Sequence, residues 1–318
     1  MRILITDTHF GVKQNSINWL NSQLDFIYKQ LIPYIKSQKG YKQLIHLGDV
    51  FDSRSTISTY VATKVIEAVR DLRSCVDDFI IIGGNHDFYS PNSDSIDTVN
   101  LLLGNLDIRI VTKDFLHEGD SLYVPWYKWL SHIDGDNTIK DFCKEHEIKN
   151  IFTHADIIRT PINISGVNVY SGHTHIPYIK GVIRNLGSCY SLDFGDSNSP
   201  RGFYVLDGDK LEFIENNESI KFHRLYNEDI FKNDSFIEDH DYIELYISQN
   251  NMVMQNYIDR INYFTKTYKH IWIIPQIASN DNLDNEKIEN YDIEALTREM
   301  IPEELKGKFE MVLSQINN

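Results

Sequence analysis

Residues 2–9 read RILITDTH, a short apolar run that is followed at once by a polar cluster. Four later stretches repeat this order: LIHLGD at 44–49, FIIIGGNHD at 79–87, IFTH at 151–154 and VNVYSGHTH at 167–175. Apolar runs of this length predict β-strands. Segments at residues 19–31 and 61–72, between the first three runs, have the apolar spacing of amphipathic helices. This alternation predicts an α/β fold that begins with a largely parallel sheet.

The second half of the chain has a different pattern of apolar runs. Short strand-like runs follow one another from residue 182, and Asp207-Gly208 between two of them is typical of a β-hairpin. We therefore expect a first domain at residues 1–225. A further strand, helix and strand predict a small β-α-β capping domain at residues 226–278.

The C-terminal part is predicted to contain a linker and one helix. Residues 279–291 are rich in Asn, Asp and Glu, which is typical of a solvated linker. Residues 292–318 are predicted to form a C-terminal helix with one apolar stripe. Its apolar residues repeat at helical spacing: Leu305, Phe309, Val312 and Ile316. The stripe predicts either a partner-binding surface or packing on the chain's own domain.

Composition narrows the classes of function. The formal net charge is −15 at pH 7, which argues against a broadly basic surface for nucleic acid. The carboxylates of a metal site would themselves contribute to this negative charge, so the charge does not exclude DNA as a substrate. Cys75, Cys143 and Cys189 lie far apart without paired spacing, which indicates a reducing compartment. No apolar run approaches the roughly 20 residues of a membrane span. We therefore expect a cytoplasmic protein, located in the host cytoplasm if a phage encodes it.

The polar clusters after the strands indicate a metal site. The carboxyl ends of parallel strands meet at one edge of a sheet, so these clusters are expected to converge. They supply carboxylate, imidazole and amide groups, which suit a borderline divalent ion such as manganese. The predicted metal ligands are Asp7, His9, Asp49, Asn85, His154, His173 and His175.

The number of these ligands predicts two ions rather than one. Seven ligands are too many for one ion with open positions, but they suit two ions about 3.5 to 4 Å apart. Asp49 stands alone after its strand and is the predicted bridge. Asp7 and His9 can share one ion, since residues two apart in an extended chain point the same way.

A two-metal centre predicts in-line attack on phosphorus by a metal-activated hydroxide. His86 follows a ligand directly and is predicted to be catalytic, stabilising the transition state and protonating the leaving oxygen. Asp52 is predicted to be a second catalytic residue that orients His86 as an Asp-His pair. The role of Asp87 is left open, with fixing of the loop as the alternative to a part in catalysis, and His46 is interpreted as a packing residue.

These motifs differ in how specific they are. A lone Asp-x-His or Gly-Asp is weak evidence, whereas Gly-Asn-His-Asp and Gly-His-x-His after strands are much stronger. Their order resembles the calcineurin-like metallophosphoesterase superfamily from residue 1 to about residue 190. Further motifs, extending to about residue 215, are similar to the nuclease subunit of double-strand-break repair complexes, of the SbcD type and of T-even-like phages. They are residues 6–12, 48–52, 124–126, 187–188 and 191–192.

The resemblance implies a layered β-sandwich flanked by helices, with DNA exonuclease and endonuclease activity and two manganese ions. One ion would be bound by Asp7, His9, Asp49 and His175. The other would be bound by Asp49, Asn85, His154 and His173. The resemblance also implies a homodimer within a heterotetramer that contains an SbcC-type coiled-coil ATPase. ATP hydrolysis would come from that partner, because this chain has no Gly-x-x-x-x-Gly-Lys phosphate loop.

Asp52 departs from the archaeal and eukaryotic relatives, which have His there, so their exonuclease polarity does not carry over. A phosphodiesterase or phosphatase acting on a small nucleotide or phosphoester would use the same metals and is the alternative function. Protein phosphatases are disfavoured, because Asp87 replaces their usual Glu. An inactive scaffold would not need a complete ligand set, and the capping domain and tail favour a macromolecular substrate.

Overall fold

The computed structural model describes residues 1–90, 93–133, 137–159, 164–197 and 199–276. Two six-stranded sheets form most of it. The strands of the first sheet, from edge to edge, are β14 (Lys210–Glu215), β13 (Gly202–Asp207), β1 (Arg2–Ile5), β2 (Gln43–His46), β3 (Asp78–Ile82) and β6 (Arg109–Val111). The pairs from β1 to β6 are parallel, whereas β13 and β14 form an antiparallel hairpin beside β1.

The second sheet also has a parallel centre, but its edge strands at both sides are antiparallel. Its strands are β11 (Tyr178–Lys180), β12 (Ile183–Asn185), β10 (Asn168–Ser171), β9 (Asn150–Thr153), β8 (Ser121–Val124) and β7 (Leu116–Glu118). A separate antiparallel pair, β4 (Phe88–Ser90) and β5 (Ser93–Asp97), follows the Gly-Asn-His-Asp motif.

Helices cover the outer faces of the two sheets. In the larger domain they are α1 (Ile17–Asp25), α2 (Ile32–Ser37), α3 (Thr59–Arg73), α4 (Thr98–Leu103), α5 (Trp126–Ile133) and α6 (Thr138–Glu145). A π-helical segment, Phe26–Leu31, joins α1 to α2. The four-residue turn Val12–Asn15 precedes α1, and its residues Lys13 and Gln14 have positive φ.

The alternation of side chains along each strand explains the layers. Leu4, Ile45 and Phe152 are fully buried in one apolar layer to which both sheets contribute. Their neighbours Ile3 and Leu44 point the other way and pack with the helices on the first sheet. Trp129 and Ile139 form a third apolar layer on the outer face of the second sheet. The predicted α/β sandwich flanked by helices is confirmed.

A third sheet follows, with the order β15 (Phe222–Tyr226), β16 (Tyr242–Ser248) and β17 (His270–Gln276). Between β16 and β17 lie α7 (Gln249–Met252) and α8 (Gln255–Thr267), so the predicted strand, helix and strand are present. Ile243, Leu245 and Phe264 are fully buried in the core that this sheet shares with α8.

The predicted domain boundaries stay predictions. β15 begins before residue 225 and already pairs with β16, while residues 1–275 form one compact unit. The predicted linker at 279–291 and helix at 292–318 lie outside the described residues. Among the described helices, none combines the length and apolar character that a bilayer crossing requires.

Candidate metal centre

The ends of five strands, three from the first sheet and two from the second, bring the predicted ligands together. Asp7 and His9 follow β1, Asp49 follows β2, Asn85 follows β3, His154 follows β9, and His173 and His175 follow β10. Six of the seven lie within two groups of closely spaced ligand atoms, and Asn85 contacts the second group. Parallel strands in both sheets therefore produce the convergence expected from the sequence.

The first group consists of Asp7, His9 and His175. Nε2 of His9 lies 3.2 Å from Nε2 of His175. Oδ1 of Asp7 is 3.7 Å from each of these two nitrogens. Neighbouring ligand atoms around one ion have similar separations when their bonds to the metal are about 2.0 to 2.2 Å long.

The second group consists of Asp49, His154 and His173, with Asn85 between the two imidazoles. Nε2 of His154 lies 3.2 Å from Oδ2 of Asp49 and 3.1 Å from Oδ1 of Asn85. The same amide oxygen is 2.9 Å from Nδ1 of His173. Nitrogen and oxygen atoms are thus gathered at ligand spacing in this group as well.

One oxygen of Asp49 faces both groups. Its Oδ2 lies 3.7 Å from Nε2 of His9 in the first group and 3.2 Å from Nε2 of His154 in the second. The other oxygen, Oδ1, accepts a hydrogen bond of 2.8 Å from the backbone N–H of His86. Asp49 therefore occupies the position that a bridging ligand requires.

The electrostatics of the centre favour bound cations. Burial alone would raise the pKa of Asp7, but His9 and His154 outweigh it and lower this pKa to about 2. Burial alone would lower the pKa of His9, yet Asp52, Asp7 and Asp49 raise it to about 10. The buried carboxylates thus hold positive charge close to them. Mixed carboxylate, imidazole and amide donors fit divalent ions of borderline hardness, so these residues fit the metals that the sequence implies.

Strained backbone holds several of these side chains in place. Asp7, His9, Asp49 and His173 have φ values of 51°, 41°, 54° and 76°, in the left-handed region that residues other than glycine rarely adopt. Such strain persists only where the surrounding structure enforces it, and it is frequent at functional sites. The turns after the strands therefore direct the ligands inward at a conformational cost.

Two glycines allow the loops to approach closely enough. A Cβ atom at Gly84 would collide with the backbone and carboxylate of Asp49. A Cβ atom at Gly172 would collide with Thr6 and with the carboxylate of Asp7. The glycines of the two stronger motifs are thus required by the close contact between neighbouring loops.

Contacts outside the ligand set fix the orientation of the ligands. Nδ1 of His154 lies 2.8 Å from the carbonyl oxygen of Leu47, so Nδ1–H donates and Nε2 is left to face the centre. The Asp87 carboxylate is fully buried and accepts hydrogen bonds from four backbone N–H groups. These donors belong to Asp49, Val50, Phe51 and Gly84. Asp87 thus joins the loops of the second and third motifs through these hydrogen bonds.

The contact expected between Asp52 and His86 has a different form in the structure. Nδ1 of His86 lies 2.6 Å from the backbone carbonyl oxygen of Asp52, not from its carboxylate. The carboxylate instead lies 3.4 Å from Nδ1 of His9. The reason is that the loop after Asp49 turns the carbonyl of Asp52 toward His86 and its side chain toward the first group.

Several supporting residues were not found from the sequence. Arg201 is buried, donates to the carbonyl oxygen of His175, and forms an ion pair of 2.7 Å with Asp196. Asn185 donates to the carbonyl oxygens of Thr174 and Ile176, at 2.6 and 2.9 Å. Asn185 ends a strand at the same edge, and this signal could have identified it. No spacing in the sequence singles out Arg201.

His46 is more than a packing residue. Its Nδ1 accepts from the N–H of Gly48 at 3.2 Å, and its Nε2 lies 2.9 Å from Oγ1 of Thr8. Thr8 in turn donates to the carbonyl oxygen of Val50 at 3.1 Å. Burial lowers the pKa of His46 to about 3, so the neutral ring links the loops after β1 and β2.

An open groove of about 560 Å³ borders the centre. It is lined by His173 and His175 on one side, with Arg159, Ile176 and Gly195 among its other residues. The side chain of Arg159 is 86% exposed and lies 3.6 Å from Asp156. The centre is therefore accessible from solvent along a groove that has a cation at its rim.

The chain has similarities to several known proteins. A family model described as calcineurin-like phosphoesterase matches residues 2–177, a range that contains every predicted ligand. Exonuclease subunit 1 of Enterobacteria phage T4 is 29% identical over 240 residues, which cover 68% of this chain and 68% of that protein. Among solved structures, a phosphopantetheinyl hydrolase from Mycobacterium tuberculosis aligns at 14% identity with a TM-score of 0.31, over 59% of this chain and 89% of its own.

Proposed function

The chain belongs to the calcineurin-like phosphoesterase family, and from this premise we propose that it is a two-metal nuclease that hydrolyses phosphodiester bonds in DNA. Asp49 carries this proposal, because one of its oxygens faces two separate groups of ligand atoms. The similarity to an exonuclease subunit of a phage supports DNA as the substrate. The family supports a metal-dependent phosphoesterase as the broader class of enzyme.

The two ions are proposed to be manganese, held by the two groups described above. Asp7, His9 and His175 would hold one ion, and Asn85, His154 and His173 the other, with Asp49 shared between them. Bound divalent ions at such a centre supply charge neutralisation on the phosphoryl oxygens and an acidified water nucleophile.

His86 is proposed to protonate the leaving oxygen. Its Nδ1 donates to the carbonyl oxygen of Asp52, which leaves Nε2 as the nitrogen that can face a substrate. The His86 ring also lies edge-on to the ring of His9, with centroids 4.9 Å apart. The position of His86 is therefore fixed from two sides, while the residue itself is only half-buried.

The experiment that tests the function compares four substrates with the purified chain in the presence of manganese. These are end-labelled duplex DNA, end-labelled single-stranded DNA, a chromogenic phosphodiester and a chromogenic phosphomonoester. We expect cleavage of DNA and of the phosphodiester. The Asp49→Asn variant should lose both activities and bind less manganese, because the shared ligand is weakened.

The outcomes separate the nuclease from its alternative. Turnover of the small esters without any cleavage of DNA would contradict the nuclease proposal and favour a phosphodiesterase or phosphatase. Normal activity of the Asp49→Asn variant would contradict the two-metal centre itself. Asp25→Asn is a suitable control, because this carboxylate is 44% exposed and forms a surface ion pair with Lys29.

We also propose that the chain works as a homodimer together with an SbcC-type coiled-coil ATPase. The description of the phage relative as a subunit supports a complex. The mass of the purified chain, measured by light scattering after size-exclusion chromatography, tests the dimer. A monomer at all concentrations would contradict this part of the proposal without affecting the metal centre.

A further inference from the structure

Aromatic side chains line one face of the sheet β15-β16-β17. Alternate residues of the strands point toward α8 and are buried, such as Ile243 and Leu245 in β16. The residues between them point to the other face. The rings on that face are Tyr226, Tyr246, His270 and Trp272, together with the buried Phe222 and with Tyr242, both of which pack against Trp19 of α1. We call this set the aromatic face.

The rings of the aromatic face are stacked on one another. The centroids of Tyr226 and Tyr246 are 5.0 Å apart, with 25° between the ring planes. The ring centroid of Tyr242 lies 4.5 Å from that of His270, with 5° between the ring planes. It lies 5.7 Å from the centroid of Trp272, with 17° between the planes. Trp272 and Tyr226 are nevertheless 46% and 44% exposed. Large rings that are held in order but left in solvent indicate a surface that receives a ligand.

The charges on the aromatic face favour a nucleic acid over a protein. The guanidinium of Arg224 lies over the rings of Phe194 and Tyr246, at 5.7 and 6.0 Å, and pairs with Glu244 at 2.8 Å. Covering this ion pair with a dry protein surface would cost its hydration. A nucleic-acid interface is wet and can leave this pair hydrated, while the N–H groups of Arg224 that do not bond Glu244 can donate to a phosphate.

The aromatic face is connected to the groove beside the metal centre. Phe194 begins the 3-10 turn Phe194–Asp196, and the centroid of its ring lies 5.8 Å from that of Trp272. The next residues of this turn, Gly195 and Asp196, line the groove together with His175. A strand that leaves the centre along the groove therefore reaches the aromatic face across one short turn.

We propose that the aromatic face is a stacking platform for single-stranded DNA, and that it extends the substrate path from the metal centre. This inference rests on the proposed nuclease function. Unpaired bases stack on exposed rings whatever their sequence, whereas the bases of a duplex are not available for such stacking. Stacking also explains how a chain with a net charge of −15 can hold DNA without a broadly basic surface.

The test measures binding of the full chain to a fluorescently labelled oligothymidylate by anisotropy, in buffer with EDTA so that no cleavage occurs. Trp272→Ala and Tyr246→Ala should each weaken binding by about 5- to 150-fold, the range that corresponds to loss of one stacking ring. Trp272→Phe should retain most of the affinity. Tyr263→Ala is the matched control, because Tyr263 is 41% exposed but lies on α8.

Turnover of a chromogenic phosphodiester with manganese separates this inference from the function on which it rests. Trp272→Ala should cleave the small ester at the wild-type rate. Wild-type affinity for the oligothymidylate in both alanine variants would overturn the platform, as would equal affinity for a duplex of the same length. A wild-type chain that binds the oligothymidylate but cleaves no phosphodiester would contradict the nuclease proposal and leave the platform in place.

Discussion

The carboxylate of Asp52 lies 3.4 Å from Nδ1 of His9, a buried nitrogen that forms no hydrogen bond of ordinary geometry with any of the described residues. Nε2 of the same ring faces the first group of ligand atoms. A carboxylate beside the outer nitrogen of a metal-binding histidine fixes the orientation of its ring and strengthens it as a ligand. Asp52 is therefore placed to act on the metal centre through His9.

This geometry predicts that Asp52→Asn weakens manganese binding by about 10- to 100-fold, the range typical of such outer contacts. The carbonyl of Asp52 is unchanged in the variant, so the contact with His86 should persist. Calorimetric titration of the metal-free chain with manganese measures the effect, with Asp25→Asn as a control. Unchanged metal affinity together with reduced turnover would place the role of the carboxylate at His86 instead.

His86→Ser is expected to lower turnover of DNA by about 100- to 10,000-fold, the contribution typical of a positioned proton donor. Bound manganese, measured by metal analysis after dialysis, should stay at the wild-type level. A ligand atom of His86 also lies within 4.8 Å of those of His9 and Asp49, so the opposite outcome has a clear meaning. Loss of manganese in this variant would identify His86 as a ligand.

The sequence predicts the parts of this centre that lie within one strand and the turn after it. Asp7, Asp49 and His154 each follow an apolar run after one intervening residue, and the strand ends of a parallel sheet converge for topological reasons. The direction of a side chain within a turn is not fixed in this way. Asp52 shows the difference, because its backbone and side chain contact two different histidines.

The sequence also does not predict contacts between loops that are far apart along the chain. Arg201 lies in the loop before β13 and supports His175, which follows β10. Two surface-like polar residues in a loop have no spacing that marks them as a buried pair. The aromatic face was missed for a related reason, since Tyr226, Tyr246 and Trp272 become neighbours only when three strands pair.

The buried pair of Arg201 and Asp196 predicts a large effect on stability. Arg201→Ala leaves the Asp196 carboxylate without its charged partner. It also removes one of two donors to the carbonyl oxygen of His175, which keeps only the backbone N–H of Ser188 among the described contacts. Breaking a buried pair in this way costs about 3 to 5 kcal/mol of unfolding free energy. Urea denaturation at neutral pH measures this change. Lys210→Ala removes an exposed pair with Glu212 and should have little effect, so equal losses in both variants would contradict the structural role of Arg201.

The buried imidazole of His46 predicts a specific dependence of stability on pH. Burial lowers its pKa in the folded chain from 6.5 to about 3. Between these two values the unfolded chain binds a proton at this residue and the folded chain does not. The unfolding free energy must then decrease as the pH falls through this window, by up to about 1.4 kcal/mol per pH unit from this group alone.

His46→Gln removes the titrating group while keeping polar atoms beside Thr8 and Gly48. Urea denaturation at several pH values below 6.5 should therefore give a shallower dependence on pH for this variant than for the wild type. His240→Gln is the control, because the side chain of His240 is 51% exposed and its removal should leave the slope nearly unchanged. Parallel slopes for the wild type and His46→Gln would show that His46 takes up its proton equally in the folded and unfolded chain. That result would contradict the assignment of His46 as a neutral residue that links the loops after β1 and β2.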